Sequence, residues 1–248
     1  MSATVRRVVY SQFNRHLHTS IPPRRPPSPK QANKLSESRD YFYDIDQHGQ
    51  LFLSGTKIRN FTSCYKDPAF LDFFYKRLKP LQVSEEDQTF DAETSKKLKD
   101  EGYTFISLCG VERNYIRSQD TPIVFRELIQ QDESWTLKYA GTLTMPFQPD
   151  RLKVDKRGYL YHPSPEARAS SRRSRRQASS QMTDSDAVKP NPYGKYSLLR
   201  SELVISHFGR SLEMRSDDLG GSYEWLGGRR DIKMLEEGEA TLGKGWLD

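Results

Sequence analysis

Tyr41-Phe42-Tyr43-Asp44-Ile45-Asp46, then Gln47-His48-Gly49, then Gln50-Leu51-Phe52-Leu53 is the stretch on which the fold class turns. Two runs of strand-forming residues flank a short break whose glycine can take the positive φ of a tight turn, so the stretch reads as a β-hairpin. Further along, Asp67-Pro68 marks a helix start. Aspartate accepts from the free N–H groups of a first turn, and proline suits that turn because its missing donor is not needed there. Phe70, Leu71, Phe74, Tyr75 and Leu78 recur at helical spacing and Pro80 closes the run. This predicts one main amphipathic helix over about 68–79. A hairpin, a helix and further strands beyond them make an α+β fold of mostly antiparallel strands with short accessory helices.

Outward from this centre, residues 84–101 are charged and read as loop plus a weak helix. Thr104 to Leu108 is a predicted strand, Cys109-Gly110 a bend, Asn114 to Arg117 a second extended piece, and Ile123-Val124-Phe125 more β structure. Leu137, Tyr139, Gly141, Leu143, Met145 and Phe147 alternate with mostly polar partners, which predicts one half-buried strand. Pro149 to Leu152 reads as a helical turn and Tyr159 to Tyr161 as a short strand. Leu198 to Phe208 reads as a long β run and Leu212 to Met214 as another. Tyr223 to Leu226, Gly227-Gly228 and Arg229 to Ile232 form a two-residue hairpin with glycines in its turn. Residues 40–232 are thus read as a single α+β domain, and 233–248, with Glu236, Glu237 and Glu239, as a solvated tail.

Charge separates this body from two other segments. The net charge is +6 and the pI about 9.2, with a mean hydropathy of −0.82. Residues 1–39 carry eight Lys/Arg against one acid, and 160–190 carry six against three. What remains is slightly acidic, so the basic balance is no argument for a folded surface that grips phosphate backbones. Residues 1–36 contain no Asp or Glu, and Arg6, Arg7 and Arg15 are interleaved with Val5, Val8, Val9, Phe13 and Leu17. An acid-free, arginine-bearing, amphipathic leader has the composition of a mitochondrial transit peptide. Arg15-His16-Leu17-His18-Thr19-Ser20 fits the arginine-x-apolar-x-x-serine pattern of two-step processing, and the prolines from Pro22 to Pro29 end any helix. The predicted location is the mitochondrial matrix. About 164–192 the chain loses its apolar content around Arg172-Arg173-Ser174-Arg175-Arg176, and this segment reads as a disordered basic insertion, a solvated loop in preference to a nucleic-acid patch.

Candidate chemistry is sparse. Cys64 and Cys109 stand far apart with no CxxC, which argues against a disulfide scaffold or zinc knuckle. No apolar run reaches the roughly 20 residues of a membrane span. Asp44-x-Asp46-x-His48-Gly49 echoes a calcium loop, yet the twelfth position is Gly55 where a bidentate glutamate is required. A hairpin turn is the better reading, and no metal or cofactor is expected. The densest polar stretch is Cys109-Gly110-Val111-Glu112-Arg113-Asn114-Tyr115-Ile116-Arg117 with Asp120. In an extended chain Arg113, Tyr115 and Arg117 share a face, with Glu112 and Asn114 opposite. Two guanidinium forks beside an aromatic suit a carboxylate or phosphate ligand. Glu112 and Asp120 neutralising them as surface ion pairs is the competing reading. Arg113, Arg117, Glu112, Asn114, Cys109 and Asp120 are therefore the candidate ligand-binding residues. His48, His162 and His207 offer no evident catalytic set, and neither a phosphate-cradling glycine loop nor a GxSxG is present.

Read together, residues 41–53, 60–67, 73–78, 108–117, 120–125 and 146–149 resemble uncharacterised protein family 0598. The resemblance spans roughly 40–163 and 195–232. The order of a glycine-turn hairpin, a helix, a strand leading into Glu112-Arg113, then Asp120-x-Pro122-Ile123 is also similar to bacterial domain of unknown function 1285. The resemblance implies a eukaryotic mitochondrial protein of unknown activity and supplies no catalytic residues. The reading leans against an enzyme. It favours a soluble binding or accessory protein whose ligand is a small anion or a protein partner. An enzyme acting on a small anionic substrate through Cys109 or Glu112 is the alternative, and RNA binding by aromatic strand faces a weaker one, opposed by the acidic body.

Overall fold

The first hairpin forms as its sequence requires. In the computed structural model, which describes residues 39–81, 92–166, 191–215, 220–241 and 243, β1 (Arg39–Ile45) pairs antiparallel with β2 (Leu51–Leu53). Gly49 takes φ +71° in the turn, and Asp46 Oδ1 accepts from the N–H groups of His48 (3.0 Å) and Gln50 (2.7 Å). Asp46 is thus the turn's own cap and Asp44 lies in the strand, which is how the calcium-loop echo resolves.

α1 (Pro68–Tyr75) begins as read, with Asp67 accepting from Phe70 N–H at 2.6 Å. It stops four residues short of the expected Lys79, because Leu78–Pro80 is β3, paired antiparallel with β4 (Phe105–Cys109). Pro80 disfavours helical backbone at Lys79, and β3 is a sheet edge, where a residue without an N–H is tolerated. At eight residues α1 is no longer than α2 (Ala92–Asp100, nine residues), so one dominant helix is not what the fold contains.

β5 (Glu112–Ser118) lies between β4, antiparallel, and β1, parallel, giving the sheet order β2-β1-β5-β4-β3. One face packs Tyr43, Ile45, Phe105 and Ile116 with Leu71 and Phe74 of α1. The other packs Phe42, Ile106 and Tyr115 with Leu98 of α2. Alternation along each strand therefore puts one helix on each side. Phe74 is fully buried, and truncating such a ring to alanine costs about 3–5 kcal/mol.

The rest of the described chain forms a seven-stranded and a three-stranded sheet. The larger runs β13 (Glu213–Met214), β14 (Gly221–Trp225), β15 (Gly228–Met234), β10 (Lys153–Val154), β11 (Leu160–Pro163), β12 (Tyr196–Leu199) and β6 (Val124–Phe125). The smaller is β7 (Glu127–Gln131), β8 (Ser134–Lys138) and β9 (Thr144–Pro146). Among the described residues nine of the twelve strand pairings are antiparallel and three parallel, in keeping with an α+β class. Their core is aromatic: Phe208 meets Phe147, Tyr223 and Trp225 at centroid distances of 5.9, 5.0 and 5.6 Å.

Four expectations are corrected. The single strand over 137–147 is two strands, β8 and β9, joined by a bend in which a Cβ on Gly141 would lie 2.1 Å from Pro68 O. Leu198 to Phe208 is not one β run: β12 ends at Leu199 and α3 covers Ser201–His207. Leu203, Val204 and Phe208 pack into one core while Ile205 stays 70% exposed, and this one-sided burial, with Val204 and Phe208 four apart, outweighs the β preference of Val204 and Ile205. The last hairpin turns at Leu226-Gly227, both at positive φ, rather than at Gly227-Gly228. The segment after 232 is not wholly a solvated tail, since β15 runs to Met234, Glu239 and Ala240 are buried, and Ala240 bridges Gly194 and Tyr196. The expected leader, up to residue 38, and the basic cluster of the insertion lie outside the described residues.

Candidate functional site

The six residues singled out in sequence fall in three places. Arg113 and Arg117 are register partners of Asp40 and Asp44 on the parallel neighbour β1. Arg113 grips Asp40 through Nε–Oδ1 (2.6 Å) and Nη2–Oδ2 (2.7 Å). Arg117 grips Asp44 through Nε–Oδ1 (2.6 Å) and Nη2–Oδ2 (3.3 Å). Between them Tyr115 stacks on Phe42 at 5.2 Å, so the shared face expected of Arg113, Tyr115 and Arg117 is a ladder of charge, ring and charge against β1. Asp44 is fully buried and also accepts from Arg59 Nη2 (2.7 Å) and Ser54 Oγ (2.6 Å). These carboxylate bonds raise both guanidinium pKa values above the ordinary arginine value, outweighing burial, which acts to lower them.

Asn114 and Cys109 lie on the opposite, α1-facing side of the sheet. Asn114 Nδ2 donates to Ser107 O (3.0 Å), and Cys109 Sγ lies 3.6 Å from Ser107 Oγ. Glu112 is half-buried, opposite Cys109 in the β4–β5 register. Asp120 belongs to a separate buried network, accepting from Arg157 Nη2 (2.6 Å) and Tyr161 Oη (3.1 Å). Glu112 and Asp120 were the carboxylates read as possible partners of the arginines, and the structure places Asp40 and Asp44 there instead. Burial, with the charges of Asp120 and Asp155, drives the Tyr161 hydroxyl well above its usual range, so it donates and stays protonated.

None of the six lines a cleft of about 770 Å³ that opens elsewhere on the described fold. That volume is within the span of small-molecule sites. Its walls come from the bend and edge strand β9 (Tyr139, Thr144, Met145, Pro146), the end of β11 (Pro163 to Glu166) and the start of β12 (Asn191, Lys195, Tyr196). Prolines sit where the strands end, because a residue with no donor is tolerated at an edge. Glu239 closes one side, its carbonyl accepting from Lys195 N–H (2.7 Å) and Tyr196 N–H (3.0 Å). The Glu239 carboxylate takes a hydrogen bond from Lys153 Nζ and another from Glu236 N–H at 2.9 Å. Burial acts to raise its pKa, but these bonds and the charges of Lys153 and Lys195 hold it below the usual carboxylate range. With that pair cancelled, Arg151 and Lys195 stand at the cleft against Glu166 alone among charged lining groups.

His162, behind the cleft, is fully buried. Its Nδ1 donates to Pro163 O (2.8 Å) and its Nε2 accepts from Gln148 N–H (2.9 Å). Burial depresses its pKa to about 4, so the ring is a neutral structural clamp between β11 and the strand-end loop, not a base. Of the other histidines, His48 faces Glu202 (3.3 Å) and His207 faces the Trp135 ring. Among the described residues no group of three or more His, Cys, Asp or Glu could hold a metal ion, and no helix is long and apolar enough to cross a membrane. The cleft residues share no motif in sequence. The only local signal was the spacing of Pro146, Pro163 and Pro165 beside Tyr139 and Tyr196.

Taken together, fold and cleft define an α+β chain with a ligand-sized hollow at the ends of three strands. The chain belongs to the family described as "Domain of unknown function (DUF4505)", which matches residues 30–185. Two solved structures are similar to it. One is a DUF1285 family protein from Shewanella baltica OS155, at 12% identity over 63% of this chain and 82% of that one, with a TM-score of 0.31. The other is a DUF1285 family protein from Silicibacter pomeroyi DSS-3, at 16% identity over 85% of this chain and 90% of that one, with a TM-score of 0.32.

Proposed function

We propose that this chain is a binding or accessory protein of the mitochondrial matrix whose ligand, a small molecule with an apolar body and an anionic group, occupies the cleft. The observation that carries the reading is the lining itself: Tyr139, Met145, Tyr196 and three prolines offer apolar surface, and Arg151 and Lys195 outweigh Glu166. A ligand at Arg113 or Arg117, the other reading, has to displace Asp40 or Asp44 from forked hydrogen bonds already made. The location rests on the acid-free leader. Of the stretches that resemble uncharacterised protein family 0598, 40–163 lies within residues 30–185 and 195–232 lies beyond them, so we infer that the two family descriptions overlap on the first part of the same domain.

The test is thermal-shift screening of the full chain against carboxylates and phosphates of graded apolar size. Stabilisation that Arg151→Ala with Lys195→Ala abolishes, and Arg113→Ala leaves, supports the cleft. The opposite pattern moves the site to the strand ladder, and no stabilisation by any member removes the reading. For location, residues 1–39 fused to a fluorescent reporter are expected to reach mitochondria, and a diffuse cytosolic signal overturns that part.

A further inference from the structure

Residues 54–66, between β2 and α1, contain Lys57, Arg59 and Lys66 and no acid. Two bulky apolar side chains stand out of this loop, Ile58 at 71% exposure and Phe61 at 65%, beside Leu53 at 42% on the neighbouring strand. Other large exposed apolar residues, Ile205 and Leu226 for example, come from separate elements. The loop is held in shape by its own polar groups. Asn60 Oδ1 accepts from Thr62 N–H (2.9 Å) and Ser63 N–H (3.2 Å), and Ser63 Oγ donates to Ile58 O (2.7 Å). Arg59 turns inward to buried Asp44, anchoring the loop to β1. Asp67, the first acid beyond, is bonded to Phe70 N–H at the start of α1. Lys66 Nζ lies 4.0 Å from the Phe61 ring centre.

Intraloop bonds of this kind hold hydrophobic side chains in water with no cover inside the described fold. A preorganised loop with apolar tips and flanking lysines matches a bilayer with anionic headgroups: the tips gain by leaving water, and the ammonium groups meet phosphate. An aromatic ring beside a cation is also the chemistry of the headgroup level. We propose that the loop 54–66 docks this protein on an anionic lipid surface, with Ile58 and Phe61 inserted and Lys57 and Lys66 at the headgroups. The charge of the loop selects a lipid surface: with Arg59 held by Asp44, Lys57 and Lys66 flank the apolar tips with no acid in the loop, which complements a layer of anionic headgroups.

The basic leader also draws the full chain to anionic vesicles, so the test reads the loop itself. Full-length Phe61→Trp is mixed with phosphatidylcholine vesicles bearing brominated acyl chains, with or without roughly one part in three phosphatidylglycerol. Quenching beyond that of the chain's three own tryptophans, only when phosphatidylglycerol is present, is the expected result. Adding Ile58→Ser should weaken partitioning about tenfold or more, with an unchanged circular dichroism spectrum. Should that variant fold poorly, Lys57→Glu with Lys66→Glu provides the second measurement, again with loss of quenching expected. A chain that sediments with vesicles while the Phe61→Trp emission stays unquenched overturns the proposal. So does equal quenching by neutral vesicles, or a photo-crosslinker at position 61 that captures protein instead of lipid in isolated mitochondria.

Discussion

Arg117 and Asp44 face each other across a parallel strand pair, joined by two hydrogen bonds, and the aspartate is shut off from water while the arginine side chain keeps about a quarter of its surface exposed. Four residues earlier in both strands, Arg113 and Asp40 repeat the pairing with the carboxylate side chain 36% exposed. The two rungs have the same chemistry and differ in burial, which makes them a controlled comparison.

Removing one partner of a buried pair strands a charge in low dielectric, whereas surface pairs contribute about 1 kcal/mol or less. Arg117→Ala should therefore destabilise by about 3 kcal/mol, the lower end of the buried range because Arg59 stays on Asp44. Arg113→Ala should cost at most about 1 kcal/mol. Urea unfolding of both variants checks this, and equal losses would contradict it.

His162 gives a pH dependence with a fixed sign. Its pKa falls from an ordinary 6.5 to about 4 in the folded chain. Between those values the unfolded chain takes up a proton that the folded chain refuses. Stability from this residue is thus complete above pH 6.5 and falls by about 3 kcal/mol as pH drops toward 4. His162→Gln removes the titrating ring, so its urea midpoint should vary less over that window than the wild type's. Parallel curves for the two proteins would refute the assignment.

One side of the ladder, the shared face of Arg113, Tyr115 and Arg117, was legible before the fold was known, but Asp40, Phe42 and Asp44 were not read as its partners. Asp40-x-Phe42-x-Asp44 and Arg113-x-Tyr115-x-Arg117 have matching alternation, charge against charge and ring against ring. Their mutual register was not legible, because a parallel pairing across about 70 residues leaves no turn to mark it. The cleft was harder still. Its walls come from four stretches between Tyr139 and Glu239, and Glu239 stands among other acids in what composition alone calls a solvated end. α3 was missed because Val204 and Ile205 favour strands locally. The spacing of Val204 and Phe208 beside Leu203, with Glu202 in the first turn, held the better signal.

Gly141 is the residue whose role changed most between sequence and structure. Within an alternating strand pattern, a glycine signals either a bend or a close backbone approach, and here it is both. A Cβ at this position would lie 2.1 Å from Pro68 O and 2.6 Å from Pro68 Cα, which are backbone atoms that cannot swing aside. The adjacent Thr142 N–H bonds Asp72 Oδ1 at 2.7 Å, so the bend and α1 are locked together. Gly141→Ala should cost about 3 kcal/mol, the upper range for overpacking. A thermal melt within a degree or two of the wild type, taken with an unchanged calorimetric enthalpy, would exclude the close contact.

The last hairpin allows a prediction of the opposite sign. Its two-residue turn places Leu226 at φ +49° and Gly227 at φ +76°, the mirror-image geometry that matches strand twist. Glycine adopts it freely, but leucine brings its Cβ too close to the following carbonyl, and Leu226 is 75% exposed, so little packing repays the strain. Asparagine tolerates the left-handed region far better. Leu226→Asn should stabilise the chain by about 0.5–1 kcal/mol and leave the β14–β15 pairing unchanged. The check is the urea midpoint. A fall in it would mean that the exposed leucine has a contact worth more than the strain of its backbone.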